Sequence, residues 1–136
     1  MEKDFKVVIY TPFGKYLSIT VDYLSVKSGV GVIGILPNHA PLITTLEISK
    51  LILRNNKTEY IYAIGGGVLH VKNDHSVTLL VDSIEGKNEI DINRAKASRD
   101  RANERLNSSD HEIDVKRAKL SLLRALNRLE VSDNNN

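Results

Sequence analysis

The chain has no cysteine among its 136 residues, which excludes a disulfide framework and any thiolate metal site. The natural expectation is an intracellular protein. No apolar run approaches the ~20 residues that a helix needs to cross a bilayer. The opening MEKDFKVVIYTP lacks the layout of a signal peptide, and its early acids argue against a transit peptide. A strong excess of one charge is also missing. The formal net charge of +2 is too small to make nucleic acid the main partner. Neither proline nor glycine occurs between Glu89 and Leu106, so nothing there interrupts a helix.

The residues present divide unevenly. Residues 1–84 hold eight basic and seven acidic side chains, and residues 85–136 hold eleven and ten, so both parts are near neutral. Yet seven of the eight arginines lie after residue 85, while all seven aromatics lie before it. This predicts two differently built modules, 1–84 and 85–136.

The first module reads as β. FKVVIY at 5–10 and YLSITVDYL at 16–24 are rich in β-branched and aromatic residues, with Pro12 and Gly14 marking a turn between them. LITTLEIS, LILR, TEYIYAI, VLHV and SVTLLV follow, with turns expected at Asn55-Asn56-Lys57 and Asn73-Asp74. Many short strands between turn residues predict an antiparallel sandwich or barrel. Gly29-Val30-Gly31-Val32-Ile33-Gly34 spells the dinucleotide fingerprint G-x-G-x-x-G, but Pro37 and Pro41 stand where its helix would run. No Gly-Lys-Ser/Thr follows Gly65-Gly66-Gly67, so a P-loop is excluded. His39, His70, His75 and His111 lack metal-ligand spacing, no serine sits in a nucleophile elbow, and nothing pairs Asp22, Glu47 and Asp82 as acid and base. Catalysis within this chain is not expected.

The second module reads as two antiparallel helices, the first from Glu89 to Leu106 with Asp91 as N-cap. The break Asn107-Ser108-Ser109 is followed by a capping box, Ser109 with Glu112, and a second helix to about Glu130. Val115, Ala118, Leu122, Ala125 and Leu129 form a seam that meets a thinner one of Ala95, Ala102 and Leu106. Alanine buries little area, so the pair is expected to be weakly held. Leu120, Leu123 and Leu126 lie off the seam and suggest a second contact, with the β module or a partner. Arg94, Arg101 and Arg105 on the first helix, and Arg117, Arg124 and Arg128 on the second, repeat at intervals of seven and four. Each set therefore lies on one side of its helix. Either each arginine is solvated or paired with an acid such as Glu104, Asp114 or Glu130, or the stripes await an anion between them.

Taken together the motifs resemble the epsilon-subunit family of bacterial rotary (F-type) ATP synthases over nearly the whole chain. The resemblance rests on Thr11-Pro12 with Gly14, on the run from Gly31 to Leu42 (GVIGILPNHAPL), on Gly65-Gly66-Gly67-Val68, and on Arg117-Ala118 with RALNRL at 124–129. Asn38 departs from the glycine or other small residue of many members.

The resemblance implies a non-catalytic central-stalk subunit of a proton-translocating synthase at the cytoplasmic face of a bacterial cell membrane, attached to it only through the complex. Its sandwich would dock on the gamma subunit and the c-ring. Its helices would either fold on the sandwich or extend toward the alpha and beta subunits and obstruct hydrolysis. Ile90-Asp91-Ile92-Asn93-Arg94-Ala95 matches the family motif I/L-D-x-x-R-A for ATP as a regulatory ligand. Carried over, Asp91 would meet the base or ribose with Glu85 nearby, and Arg94, Arg101, Arg124 and Arg128 would surround the phosphates. No metal ligands are recognised. The rival from another class is a free-standing nucleotide-binding sensor.

Overall fold

The computed structural model describes residues 3–108 and 114–133. Eight strands come first: β1 (Phe5–Thr11), β2 (Gly14–Val21), β3 (Tyr23–Ser28), β4 (Gly31–Ile35), β5 (Leu42–Asn55), β6 (Thr58–Val71), β7 (Val77–Val81) and β8 (Ile84–Gly86). A 3-10 turn at Lys87–Glu89 then leads into helices α1 (Ile92–Leu106) and α2 (Val115–Asp133). The architecture is the expected one, a β-sandwich followed by a helical hairpin.

The strands form one hydrogen-bonded path, β2-β1-β7-β6-β5-β3-β4, with β8 also on β6. It folds over so that alternate side chains face a shared interior. Phe5, Val7 and Ile9 of β1 and Val77, Leu79 and Val81 of β7 are buried with Leu24 and Val26 of β3 and Leu51 and Leu53 of β5. Full burial of each such side chain stabilises by ~1.5–3 kcal/mol, which makes this period-two pattern the main cause of the fold. Every pairing is antiparallel except β1 with β7, which runs parallel.

Two expected strand boundaries move. The run 16–24 breaks at Asp22, whose backbone N–H donates to the Arg54 carbonyl at 2.8 Å and whose carboxylate accepts from the Asn56 N–H at 2.7 Å. LITTLEIS and LILR join as β5, which pairs with β6 from Leu42↔Val71 to Asn55↔Thr58. Asn56 turns that hairpin at φ +57, a left-handed conformation that asparagine tolerates. The G-x-G-x-x-G segment forms the β3–β4 turn and then β4, with no helix following.

Three consecutive glycines let β6 change partners. Tyr62 to Ile64 pair with β8, whereas Gly67 to Val71 pair with β7. Gly66 and Gly67 take φ +98 and +151, and a Cβ on Gly67 would lie 2.0 Å from the Leu80 carbonyl oxygen. The backbones cross here too closely for any side chain.

The hairpin docks through α2 on the outer side of β5 and β6. Val131 is fully buried in a small cluster with Ile61, Ala63 and Ile90, and Ile52 packs at its edge. Asn127 is 7% exposed, and its Nδ2 donates to the carbonyls of Ser49 (2.8 Å) and Ile64 (3.4 Å). Ser49 lies where the β3–β5 ladder is interrupted between Leu46 and Ile52, so the helix amide serves the strand at its irregular point. Of the leucines expected to contact the β module or a partner, Leu123 and Leu126 border a cleft with Val26, Val32 and Ile52 of the sandwich, while Leu120, Leu123 and Leu126 remain 37%, 47% and 46% exposed. Leu120 and Leu123 precede Asn127 by seven and four residues and so share its side of α2.

Candidate functional site: the arginine face of the helical hairpin

Helix α1 begins later than expected, at Ile92, because Lys87–Glu89 forms the 3-10 turn and Ile90 is buried. Asp91 caps it as anticipated, its Oδ1 accepting from the Arg94 N–H at 3.0 Å. The capping box expected at Ser109 and Glu112 lies outside the described residues. Within them, Asp114 accepts from the Arg117 N–H at 3.0 Å and so caps the first turn of α2.

The seam is largely as expected. Ala95, Ala102, Ala118 and Ala125 are all buried, while Val115 is 51% exposed. Ala95 with Ala125, and Ala102 with Ala118, sit equally far from the connection, so an antiparallel pair brings them level. Arg94, Arg101, Arg117 and Arg124 immediately precede these alanines, and Arg105 and Arg128 follow Ala102 and Ala125 by three. At 100° per residue, both offsets fall on the same flank of their helix, and antiparallel packing puts the two flanks on one face. On α2 this face lies between the side toward α1, at Ala125, and the side toward the sheet, at Asn127 and Val131. Arg124 and Arg128 thus border the crease between hairpin and sandwich, and the other four arginines continue the same face of the hairpin.

Glu85 of β8 meets them there. Arg128 Nε stands 2.6 Å from Glu85 Oε1, with both side chains about one-third exposed. Arg124, Asn127 and Arg128 line a notch with Ile48, Gly65, Ser83 and Glu85, and its free volume of about 10 Å³ holds one water at most. Arg101 Nη2 donates to Ser98 Oγ at 3.2 Å. Among the described residues, the side chains of Arg94, Arg105, Arg117 and Arg124 make no ion pair, and none of the six arginines pairs with Glu104, Asp114 or Glu130. The structure therefore gathers Glu85, Arg124 and Arg128 into one spot. Arg94 and Arg101 lie on the same face without contacting them, and Asp91 is occupied with its cap. No group of three or more candidate metal ligands occurs among the described residues.

Two further contacts had no signal in the sequence. Asn127 is one polar residue in a polar helix. Its neighbour spacing does not distinguish it from a solvated side chain. Glu89 accepts from the Tyr16 hydroxyl and, at 2.8 Å, from the Gly86 N–H, which clasps the 3-10 turn to edge strand β2. Tyr16 packs edge-on against Tyr62, with ring centroids 6.2 Å apart. Burial pushes the Tyr16 hydroxyl well above the ordinary phenol range, and the Glu89 carboxylate adds to the shift. The Tyr16 hydrogen bond, followed by that from Gly86, holds the Glu89 carboxyl below its ordinary value. A depressed folded-state value means the clasp is fully effective above the unfolded carboxyl's titration and is lost as pH falls through the folded one. Urea unfolding as a function of pH checks this: Glu89→Gln is expected to flatten the acid limb and to lower stability near neutrality.

A family model described as the ATP synthase delta/epsilon chain beta-sandwich domain matches residues 4–87, and one for the long alpha-helix domain of the same chain matches residues 88–133. The chain is 40% identical over 106 residues to the ATP synthase epsilon chain of Citrifermentans bemidjiense, covering 78% of this chain and 76% of that one. It is 42% identical over 106 residues to the epsilon chain of Bacillus subtilis, covering 78% and 80%. Its fold matches a chain in the mitochondrial ATP synthase of Euglena gracilis with TM-score 0.84 at 18% identity, covering 97% of this chain and 82% of that one. The corresponding values for a chain of the Tetrahymena thermophila mitochondrial synthase are 0.60, 15%, 96% and 97%. With both modules matched and relatives at this identity over most of their length, the chain belongs to the ATP synthase delta/epsilon family and is a non-catalytic subunit of that synthase.

Proposed function

We propose that the chain is a central-stalk coupling subunit of a proton-translocating synthase whose helical hairpin is a brake on ATP hydrolysis, held off when ATP binds the folded form. The reading rests on one observation: a hairpin held to its sandwich by few contacts presents an arginine face with cations unpaired among the described residues. Arg94, Arg101, Arg124 and Arg128 would surround the phosphates, with Asp91 and Glu85 toward the base and ribose. A charge-assisted hydrogen bond is worth ~1.5–3 kcal/mol, so a few of these residues suffice for millimolar-to-micromolar binding at ~4–8 kcal/mol, after ordering costs. Because ATP would bind only the folded hairpin, it shifts the folding equilibrium by its differential affinity and no more.

Gamma subunit and c-ring are the proposed docking partners of the sandwich. Support comes from Tyr10, Leu80 and Val68, which are paired in register across β1, β7 and β6 and are exposed by 36%, 54% and 37%. Such a row marks an interaction surface on a β-sheet. The extended helices would meet the alpha and beta subunits. Nothing in the chain's charge calls for nucleic acid. No described helix is long and apolar enough to cross a membrane, and attachment at the cytoplasmic face would run through the complex. Family membership favours this complex-bound role over a free-standing sensor.

The test compares ATPase activity of the complex carrying the full chain with one ending after Glu89, so that the Tyr16 clasp survives. The full chain is expected to inhibit at low ATP and to release at high ATP, and the shortened one to do neither. With Arg124→Ala, release is expected to need more ATP. Hydrolysis indifferent to the truncation at low ATP would remove the brake.

A further inference from the structure

The Glu85–Arg128 pair raises a question that the arginine face alone does not. Arg128 lines the notch with Arg124 and Asn127, and a carboxylate of the chain itself is already paired with it. That carboxylate comes from β8, on the sandwich, and the guanidinium from α2, on the hairpin. With about 10 Å³ free, a phosphate group has no room unless a side chain leaves. Ser83, Gly65, Ile48, Ala63 and Ile64 line the rest of the notch, so Glu85 is the one acid that borders it.

We infer that Glu85 is an internal competitor anion: it holds Arg128 in place of a phosphate and must release it before a polyphosphate ligand can bind the crease. The inference deepens the nucleotide reading above and rests on its premise that the arginine face takes polyphosphate. Exchanging one anion for another leaves Arg128 paired throughout, so ligand gains from Arg128 only the difference between phosphate and carboxylate. The remaining gain comes from arginines with no ion pair among the described residues, Arg94 and Arg124 among them. The same exchange makes hairpin docking a handover. Without ligand, the Glu85–Arg128 pair ties helix to sandwich; with ligand, the phosphates replace it. Glu85 thereby raises the concentration of polyphosphate at which the site fills.

The experiment titrates the full chain calorimetrically with inorganic tripolyphosphate, which has no base, and separately with ATP. Glu85→Gln keeps the length and an acceptor but removes the charge, and Glu85→Asp retracts the carboxylate by one methylene. Freed of its competitor, Glu85→Gln is expected to bind tripolyphosphate roughly two- to fivefold more tightly than the parent, in the range of a partly exposed ion pair. Glu85→Asp is expected to fall between them. Equal or weaker binding by Glu85→Gln, or none at millimolar tripolyphosphate, overturns the inference. Should ATP bind the parent while Glu85→Gln gains nothing for either ligand, Glu85 is no competitor and the nucleotide reading survives. Should ATP fail to bind while the tripolyphosphate order holds, the nucleotide reading fails and the competitor stands. A second measurement needs no variant: the carboxyl carbon resonance of Glu85 in the parent is expected to move at ligand saturation. A resonance that stays in place overturns the exchange.

Discussion

Gly67→Ala is expected to cost about 3–5 kcal/mol, from backbone strain at a positive φ and overpacking against the neighbouring strand. Gly67 sits at φ +151, and its added methyl would lie 2.0 Å from the Leu80 carbonyl oxygen and 2.8 Å from the Val81 Cα. Neither obstacle is the end of a flexible side chain. Both belong to β7, which pairs with β6 from Gly67↔Val81 to Val71↔Val77 and carries the buried Leu79. Relief therefore requires moving β7 out of the core. Chemical denaturation of the chain checks the size of the effect. A loss below about 1 kcal/mol would mean that β7 yields readily and that the crossing is not close-packed.

Asn127→Asp is expected to have the second largest effect, and on the hairpin rather than the sandwich. The replacement is nearly isosteric, so packing around α2 changes little. Its chemistry reverses: the amide now donates to the Ser49 and Ile64 carbonyls, whereas a carboxylate would face both oxygens with no proton to offer. At 7% exposure, water cannot fully compensate. An unsatisfied buried group costs ~1–3 kcal/mol and a charged one more, so docking should weaken by about 2–4 kcal/mol. The remaining attachments are the Val131 cluster and the partly exposed Glu85–Arg128 pair. Amide hydrogen exchange checks the outcome. Protection is expected to fall along α2 while the core of β1, β6 and β7 is unchanged. In the assembled complex the proposed brake would then engage at ATP levels that keep it off in the parent.

Much of the architecture was legible because it depends on local chemistry. Turn residues at Asn55-Asn56-Lys57, two prolines after the G-x-G-x-x-G run, and a proline- and glycine-free stretch between Glu89 and Leu106 each act within a few residues. Asp91 could be read as a cap for the same reason. The alanine seam was legible from periodicity. What escaped depends on residues far apart in the chain. The partner switch of β6 needs Leu80 beside Gly67, and the parallel β1–β7 pair joins segments some seventy residues apart. Tyr16 and Glu89 are separated by 73 positions. At the site, the stripes of arginine were visible, but their neighbours were not. Glu85 entered only as a residue near the nucleotide, whereas the structure sets it directly on Arg128. Leu120, Leu123 and Leu126 were legible as a contact beyond the helix pair, but their spacing did not say how much of them the sheet would cover.

Those leucines bear on how quickly the hairpin can act. Two helices that touch through methyl groups close up without enclosing their bulkiest side chains, which stay 37%, 47% and 46% exposed, two of them beside the cleft between α2 and the sheet. In its parked position the hairpin therefore leaves an adhesive ridge partly uncovered. Lifting the hairpin away would bare the rest of that ridge, so the slow step of engagement would be parting Asn127 and Val131 from the sheet, not rebuilding the helix pair.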